Sequence, residues 1–377
     1  MKIEALLGHM VARKASDGFL SVESEPCLKV DGELVTLDYG ILDEASVMAL
    51  IESTLSESQR EEFRRSRECN YAINDPTYGR FRASAFIQRG MPSLVLRRIS
   101  ADIPSMSSLG LPDVIENLAM LKRGLVIFVG GTGTGKSTSL ASMIDYRNRN
   151  SRGHIVTIED PIEYVHSHQG CLISQREVGL DTASYEVALQ NTLRQAPDVI
   201  MIGEVRTAET MQAALSFAET GHLCLCTLHA NNANQALDRI QSFFPAEKHN
   251  QVWMDLSLNL KAMVAQQLLP KRDGKGRTPV IEVLLATALI QDHIRKGEVH
   301  LIKDVMERSV ELGMQTFDQS LVKAYKDALI SAEMAIRHAD SSNDVRLNIK
   351  LHERGQGAFR DAAELNYEMA DDEFLDR

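Results

Sequence analysis

The chain has 377 residues, of which 44% are hydrophobic and 25% charged, with a formal net charge of −11. That length suggests two or three domains, at roughly 100–200 residues each, and the acidic balance argues against a general nucleic-acid binder. No stretch approaches the ~20 apolar residues of a bilayer-spanning helix, and residues 1–20 lack a basic region followed by an apolar run, so neither membrane insertion nor a signal peptide is expected.

Ile3, Leu6, Leu7, Met10 and Val11 recur at helical spacing, so the chain opens with an amphipathic helix. Residues 19–37 alternate loosely around Asp31-Gly32 and predict a hairpin. Helices are expected over 43–55 and 56–66, then strands at 71–73, 80–88 and 94–99, the first two joined by a turn at Asp75-Pro76-Thr77-Tyr78-Gly79. Residues 1–100 thus read as a small α+β domain. Prolines, glycine and serines over 101–112 mark a linker.

From 113 to 339 apolar strand-like runs (124–129, 153–158, 199–202, 223–228) alternate with helical stretches, the pattern of a parallel sheet in an α/β domain. The part from 246 to 337 reads as mostly helical. Beyond 340 the chain turns polar and then acidic: residues 361–377 hold seven carboxylates against Arg377, a net −6. Residues 340–377 are therefore expected to be a disordered tail, with a short helix near 358–369 as an option. Cys27, Cys69, Cys171, Cys224 and Cys226 form no CxxC pair, so they read as buried small hydrophobes in a reducing compartment.

Gly130, Gly131, Thr132, Gly133, Thr134, Gly135, Lys136 and Ser137 fit G-x-x-x-x-G-K-[ST], after an apolar strand and before a helix that begins around Thr138. Glycines let successive backbone N–H groups face phosphate oxygens, and the helix N-terminus adds its positive end. Lys136 is expected on the β and γ phosphates of ATP, and Ser137 on Mg²⁺. A second apolar run, Val199 to Ile202, leads to Glu204, placed where an open α/β sheet sets its ligands and suited to Mg²⁺ contact.

Between them, Thr157-Ile-Glu-Asp160-Pro-Ile-Glu163 packs three carboxylates into five residues, costly if buried together without a cation. Either Glu163 or Glu204 could take a proton from an attacking water; on carboxylates alone, a solvated loop reads equally well. His222 and His229 flank the run 223–228, each either a γ-phosphate donor or a structural histidine. Arg80 and Arg82 alternate on a strand and project to one side, as a phosphate-facing pair would.

In chain order, 130–137, 157–163, 198–204 and 220–229 resemble the Walker A, Asp box, Walker B and His box of the secretion ATPase superfamily. Residues 173–178, 203–206, 218–222, 273–277 and 312–316 are similar to its type IV pilus retraction branch, PilT and PilU, and the resemblance runs over 3–335. It implies a PAS-like N-terminal domain, a RecA-like P-loop ATPase domain with a helical C-terminal part, and a homo-hexameric ring. It further implies Arg80, Arg82 and Arg97 on the phosphates, Glu163 acting on the water, Glu204 on Mg²⁺ and His229 near the γ-phosphate. The expected work is ATP-driven pilus retraction (twitching motility) in the cytoplasm, at the inner-membrane face, against a membrane platform protein.

The sequence departs from the branch at 289–296, at Ala196 and Thr207, and in its extended tail, which points to the PilU-like, accessory side. The competing expectations are a nucleotide-binding ring dependent on a paralogous retraction ATPase, and a pilus-extension or type II secretion ATPase. The latter usually carries a tetracysteine insertion not seen here.

Overall fold

The computed structural model describes residues 1–356, in two compact units: Met1–Ile103 with Asn148–Pro197, and Pro104–Arg147 with the chain from Asp198 onward.

The first unit opens with α1 (Ile3–Ala12), which buries Ile3, Leu6, Leu7 and Met10, one stripe at helical spacing. Strands β1 (Asp17–Ser21), β2 (Cys27–Val30) and β3 (Glu33–Thr36) follow, with Asp31-Gly32 at the β2–β3 turn and both residues at positive φ, as such a tight hairpin demands. Helix α2 (Glu44–Thr54) starts on Asp43, whose carboxylate accepts the Ser46 N–H at 2.8 Å; α3 (Glu57–Ser66) starts on a Ser56/Gln59 capping box. Strands β4 (Glu68–Asp75), β5 (Gly79–Gln88) and β6 (Met91–Arg98) complete an antiparallel sheet of order β3-β2-β1-β6-β5-β4. Its core joins Tyr71, Phe81, Leu94 and Leu96 to the helix stripes. β3 forms an edge, with all four residues exposed.

In the second unit the chain runs through α4 (Val114–Ala119) and β7 (Gly124–Val129) into α5 (Lys136–Asn150). It then supplies the first unit with β8 (Gly153–Glu159), β9 (Cys171–Glu177) and α6 (Tyr185–Thr192); β8 and β9 pair in parallel. Back in the second unit come β10 (Val199–Ile202), α7 (Ala208–Glu219), β11 (Leu223–Leu228), α8 (Ala233–Ser242), α9 (His249–Asn259), β12 (Leu260–Pro270) and β13 (Arg277–Leu285). Within this unit the strands order β13-β12-β7-β11-β10, parallel except for β13. Every residue of β7 and β11 is buried, the signature of central parallel strands covered on both faces. Gln315 closes the outer edge of β13, exchanging two backbone hydrogen bonds with Val283.

Helices α10 (Ala288–Lys296), α11 (Ile302–Arg308), α12 (Phe317–Lys326), α13 (Ala332–Arg337) and α14 (Ser342–Gln356) finish the described chain. One expectation is refined here and one corrected. The stretch from 246 is helical on either side of a long hairpin that the sequence pattern did not predict, β12 with β13, turning at Asp273-Gly274. The tail does not begin at 340: α14 is a helix that buries Val345 and Ile349. The expected disorder of 357–377, and the optional helix near 358–369, lie outside the described residues.

Candidate nucleotide site

In the second unit β7 delivers its carboxyl end to the loop 130–135, and α5 begins at Lys136. A Cβ at Gly130 would lie 2.5 Å from Thr134 Oγ1 and 2.7 Å from the Gln266 carbonyl. Gly135, at φ 89°, has Gln266 Nε2 at 2.7 Å from such a Cβ, so backbone and β12 close on each other where side chains do not fit. Thr134 Oγ1 donates to the Gly131 carbonyl at 3.0 Å. The buried Lys136 donates to the carbonyls of Gly130 and Gly131 at 2.9 and 2.7 Å. Ser137 and Thr138 stand in the first turn of α5, where the N–H groups and the positive end of the helix favour an anion.

Gln266 is a support that sequence reading missed. Its Oε1 accepts the Ser139 hydroxyl at 2.8 Å, tying β12 to the first turns of α5. The one available signal was a buried glutamine inside an apolar run that had been read as helix.

Glu204 follows β10, and both its oxygens are engaged: Arg206 Nη2 donates to Oε2 at 2.6 Å, and His229 Nε2 lies 3.1 Å from Oε1. His229 follows β11, whose Leu228 is in register with Val129, so it emerges beside the glycine loop. Burial, reinforced by the Lys136 charge, lowers the His229 pKa despite Glu204, which favours the neutral imidazole. The structure thus brings Lys136, Glu204 and His229 into one electrostatic neighbourhood. It does not bring His222 there. His222 precedes β11, its carbonyl bonds the Gly124 N–H, and its ring faces Thr220 and the Phe217 carbonyl. Six strand residues, about 20 Å at the usual rise, separate it from His229.

In the first unit β8 ends in Glu159, and the segment 160–166 carries the exposed Glu163 past a cis Asp160–Pro161 bond. Glu159 accepts the Thr157 hydroxyl at 2.6 Å, Gln175 Nε2 at 3.2 Å and the Glu163 backbone N–H. Burial nevertheless pushes its carboxyl up to about 7. On the N-terminal sheet Asp17, Arg97 and Arg82 are register partners across β1, β6 and β5, and Arg97 Nε donates to Asp17 at 2.7 Å. Arg80, two residues along β5, pairs with the buried Glu177 at 3.0 Å. Arg98, which the sequence reading passed over for Arg97, lines a cavity of about 470 Å³ together with Arg80, Asp75, Ile162 and Gln175.

The family model for type II/IV secretion system proteins matches residues 69–293. The type IV pilus ATPase PilU of Pseudomonas aeruginosa is 60% identical over 351 residues, covering 93% of this chain and 92% of that protein. The type IV pilus retraction ATPase PilT of the same organism is 39% identical, covering 89% and 97%. A crystal structure of the pilus retraction motor PilT with bound ADP superposes with a TM-score of 0.85 at 39% identity, over 91% of this chain and 98% of that one.

Proposed function

Because the chain belongs to the type II/IV secretion ATPase family, in its PilT/PilU retraction branch, we propose that it binds MgATP on residues 130–138 and hydrolyses it to power or assist type IV pilus retraction. It acts as a homo-hexamer at the cytoplasmic face of the inner membrane, on a platform protein there and alongside a paralogous retraction ATPase. No helix among the described residues is long and apolar enough to cross a membrane.

The observation that carries this reading is the glycine loop with Lys136 folded onto it and Glu204 and His229 beside it. Lys136 exchanges its two carbonyl partners for β- and γ-phosphate oxygens. Ser137 and Glu204 offer a hydroxyl and a carboxylate, hard oxygen donors that fit Mg²⁺, which when bound neutralises phosphate charge. Water attacks the γ-phosphorus, its proton passes to a carboxylate, and the bond to the β-phosphate oxygen breaks, releasing ADP. Glu163 suits the proton acceptor's role: it is exposed, whereas the Glu204 carboxylate is paired with Arg206 and given to Mg²⁺. His229 carries a single N–H as a neutral imidazole, and that N–H passes from the Glu204 carboxylate to the γ-phosphate when nucleotide binds. Arg80, Arg82 and Arg97 supply the cationic face that meets phosphate.

A second reading, a nucleotide-gated accessory ring dependent on the paralogue, rests on the 60% identity to PilU against 39% to PilT. Steady-state hydrolysis by the wild-type protein and by Glu163→Gln, each alone and with a PilT-type ATPase, separates the two. Turnover alone that Glu163→Gln abolishes supports the autonomous motor. Turnover that needs the second ATPase supports the accessory ring. A Glu163→Gln variant as fast as wild type removes Glu163 from the mechanism.

A further inference from the structure

Residues 160–166 carry Glu163 outside any named helix or strand; their backbone makes an isolated bridge to Ser100, with the Val165 N–H on the Ser100 carbonyl at 3.1 Å. Side chains of strand β9 supply further anchors around Glu163. Gln175 and Glu177 alternate along β9 and project to the same face. Gln175 Nε2 donates to the Tyr164 carbonyl at 2.8 Å and to Glu159 at 3.2 Å, and its Oε1 accepts the His166 N–H at 2.8 Å. Glu177 Oε2 faces the Ile162 N–H at 3.4 Å and takes Arg80 Nη2 at 3.0 Å. Glu159 closes the set on the Glu163 N–H itself. The segment is therefore held at 162, 163, 164 and 166, on both sides of Glu163 and at its own amide.

We infer that Gln175 and Glu177 are positioning residues for Glu163, and that Glu177 links that position to the phosphate-facing Arg80. This rests on the proposed role of Glu163. The geometry of the linkage is specific: one carboxylate oxygen serves both Arg80 and Ile162. Arg80, Ile162 and Gln175 also line the same cavity of about 470 Å³, so an anion entering it can reach the guanidinium. An anion that draws Arg80 aside leaves that oxygen to the Ile162 N–H alone, tightening the segment when phosphate is present. A buried ion pair is weak evidence of stability; here it supplies a connection between two functional groups.

The test is a double-mutant cycle on the full chain, assayed alone and with a PilT-type ATPase. Gln175→Met removes the donor and acceptor at similar volume, and Glu177→Gln removes the charge with little change in shape. Each should lower kcat on the order of tenfold, with affinity for a fluorescent ADP analogue within about threefold of wild type. In a Glu163→Gln background neither should lower the residual rate further, because the group they position is gone. An undiminished kcat, or the same fractional loss in the Glu163→Gln background, overturns the inference. A Glu163→Gln protein with wild-type turnover, or a wild type inactive under both conditions, overturns instead the catalytic reading beneath it. Melting temperature and analogue binding identify a variant that has merely misfolded; hydrogen exchange then decides, since the inference requires loss of protection at the His166 amide in Gln175→Met, while the Val165 amide, bonded to the Ser100 carbonyl, keeps its own.

Discussion

Lys136 is the residue whose removal separates binding from every later step. Its ammonium is buried against the Gly130 and Gly131 carbonyls, so Lys136→Ala deletes the charge proposed to meet the phosphates and should weaken binding of an ADP analogue by at least about tenfold. Titration calorimetry checks this, and unchanged affinity would sink the phosphate-loop assignment. His229→Ala removes a donor held neutral beside Glu204, and kcat should fall on the order of 10²-fold in steady-state assays while ADP affinity changes little. Glu282 shows a different use of a carboxyl. It lies buried on β13 and accepts the N–H of Ala233 at 2.7 Å and that of Phe317, the first residues of α8 and α12. Burial, the largest influence, raises its pKa from 4.5 to about 7. Between those values the folded state binds the proton more tightly than the unfolded chain. The stabilisation is full below about 4.5 and is lost as pH rises through 7. Glu282→Gln keeps an acceptor without the titration, so the loss of urea stability from pH 5 to 8 should be smaller than in wild type, by up to a few kcal/mol.

At the scale of elements, α14 is the part most at odds with expectation and the easiest to test. Ile349 is 3% exposed, so Ile349→Ala should cost about 2–4 kcal/mol in denaturant unfolding. Truncation after Asp340 should lower the melting temperature, whereas cutting after Gln356 leaves the described packing whole. The sequence pattern missed this helix because Val345 and Ile349 are only two core positions, with Leu347 and Leu351 exposed between and beyond them. It missed β12 and β13 for another reason: 260–270 and 277–285 are apolar runs without clear alternation, and such runs fit a buried strand or a helix equally well. By contrast β7, β10 and β11 were legible, because short apolar runs are bounded by polar or glycine punctuation: Gly130 after β7, Gly203-Glu204 after β10, and His222 and His229 on either side of β11. The glycine loop was legible outright, since its spacing is a statement about backbone. What could not be read was side-chain reach across strands: that Gln266 would brace α5, or that Arg80 would meet Glu177.

At the scale of the molecule, the question is how one chain's chemistry becomes movement of a fibre. Identity to PilU over 93% of the chain fixes the branch, and hydrolysis with and without a PilT-type partner measures how far this protein works alone. The two sheets also differ in how their edges are managed. Gln315 occupies the outer side of β13, while among the described residues no strand pairs with the outer side of β3, where Leu34 is 67% exposed. An open edge with apolar side chains is a template for adding a like strand. Fragments of this protein that keep the N-terminal sheet should therefore aggregate through β3 as their concentration rises, and Leu34→Lys should restore their solubility.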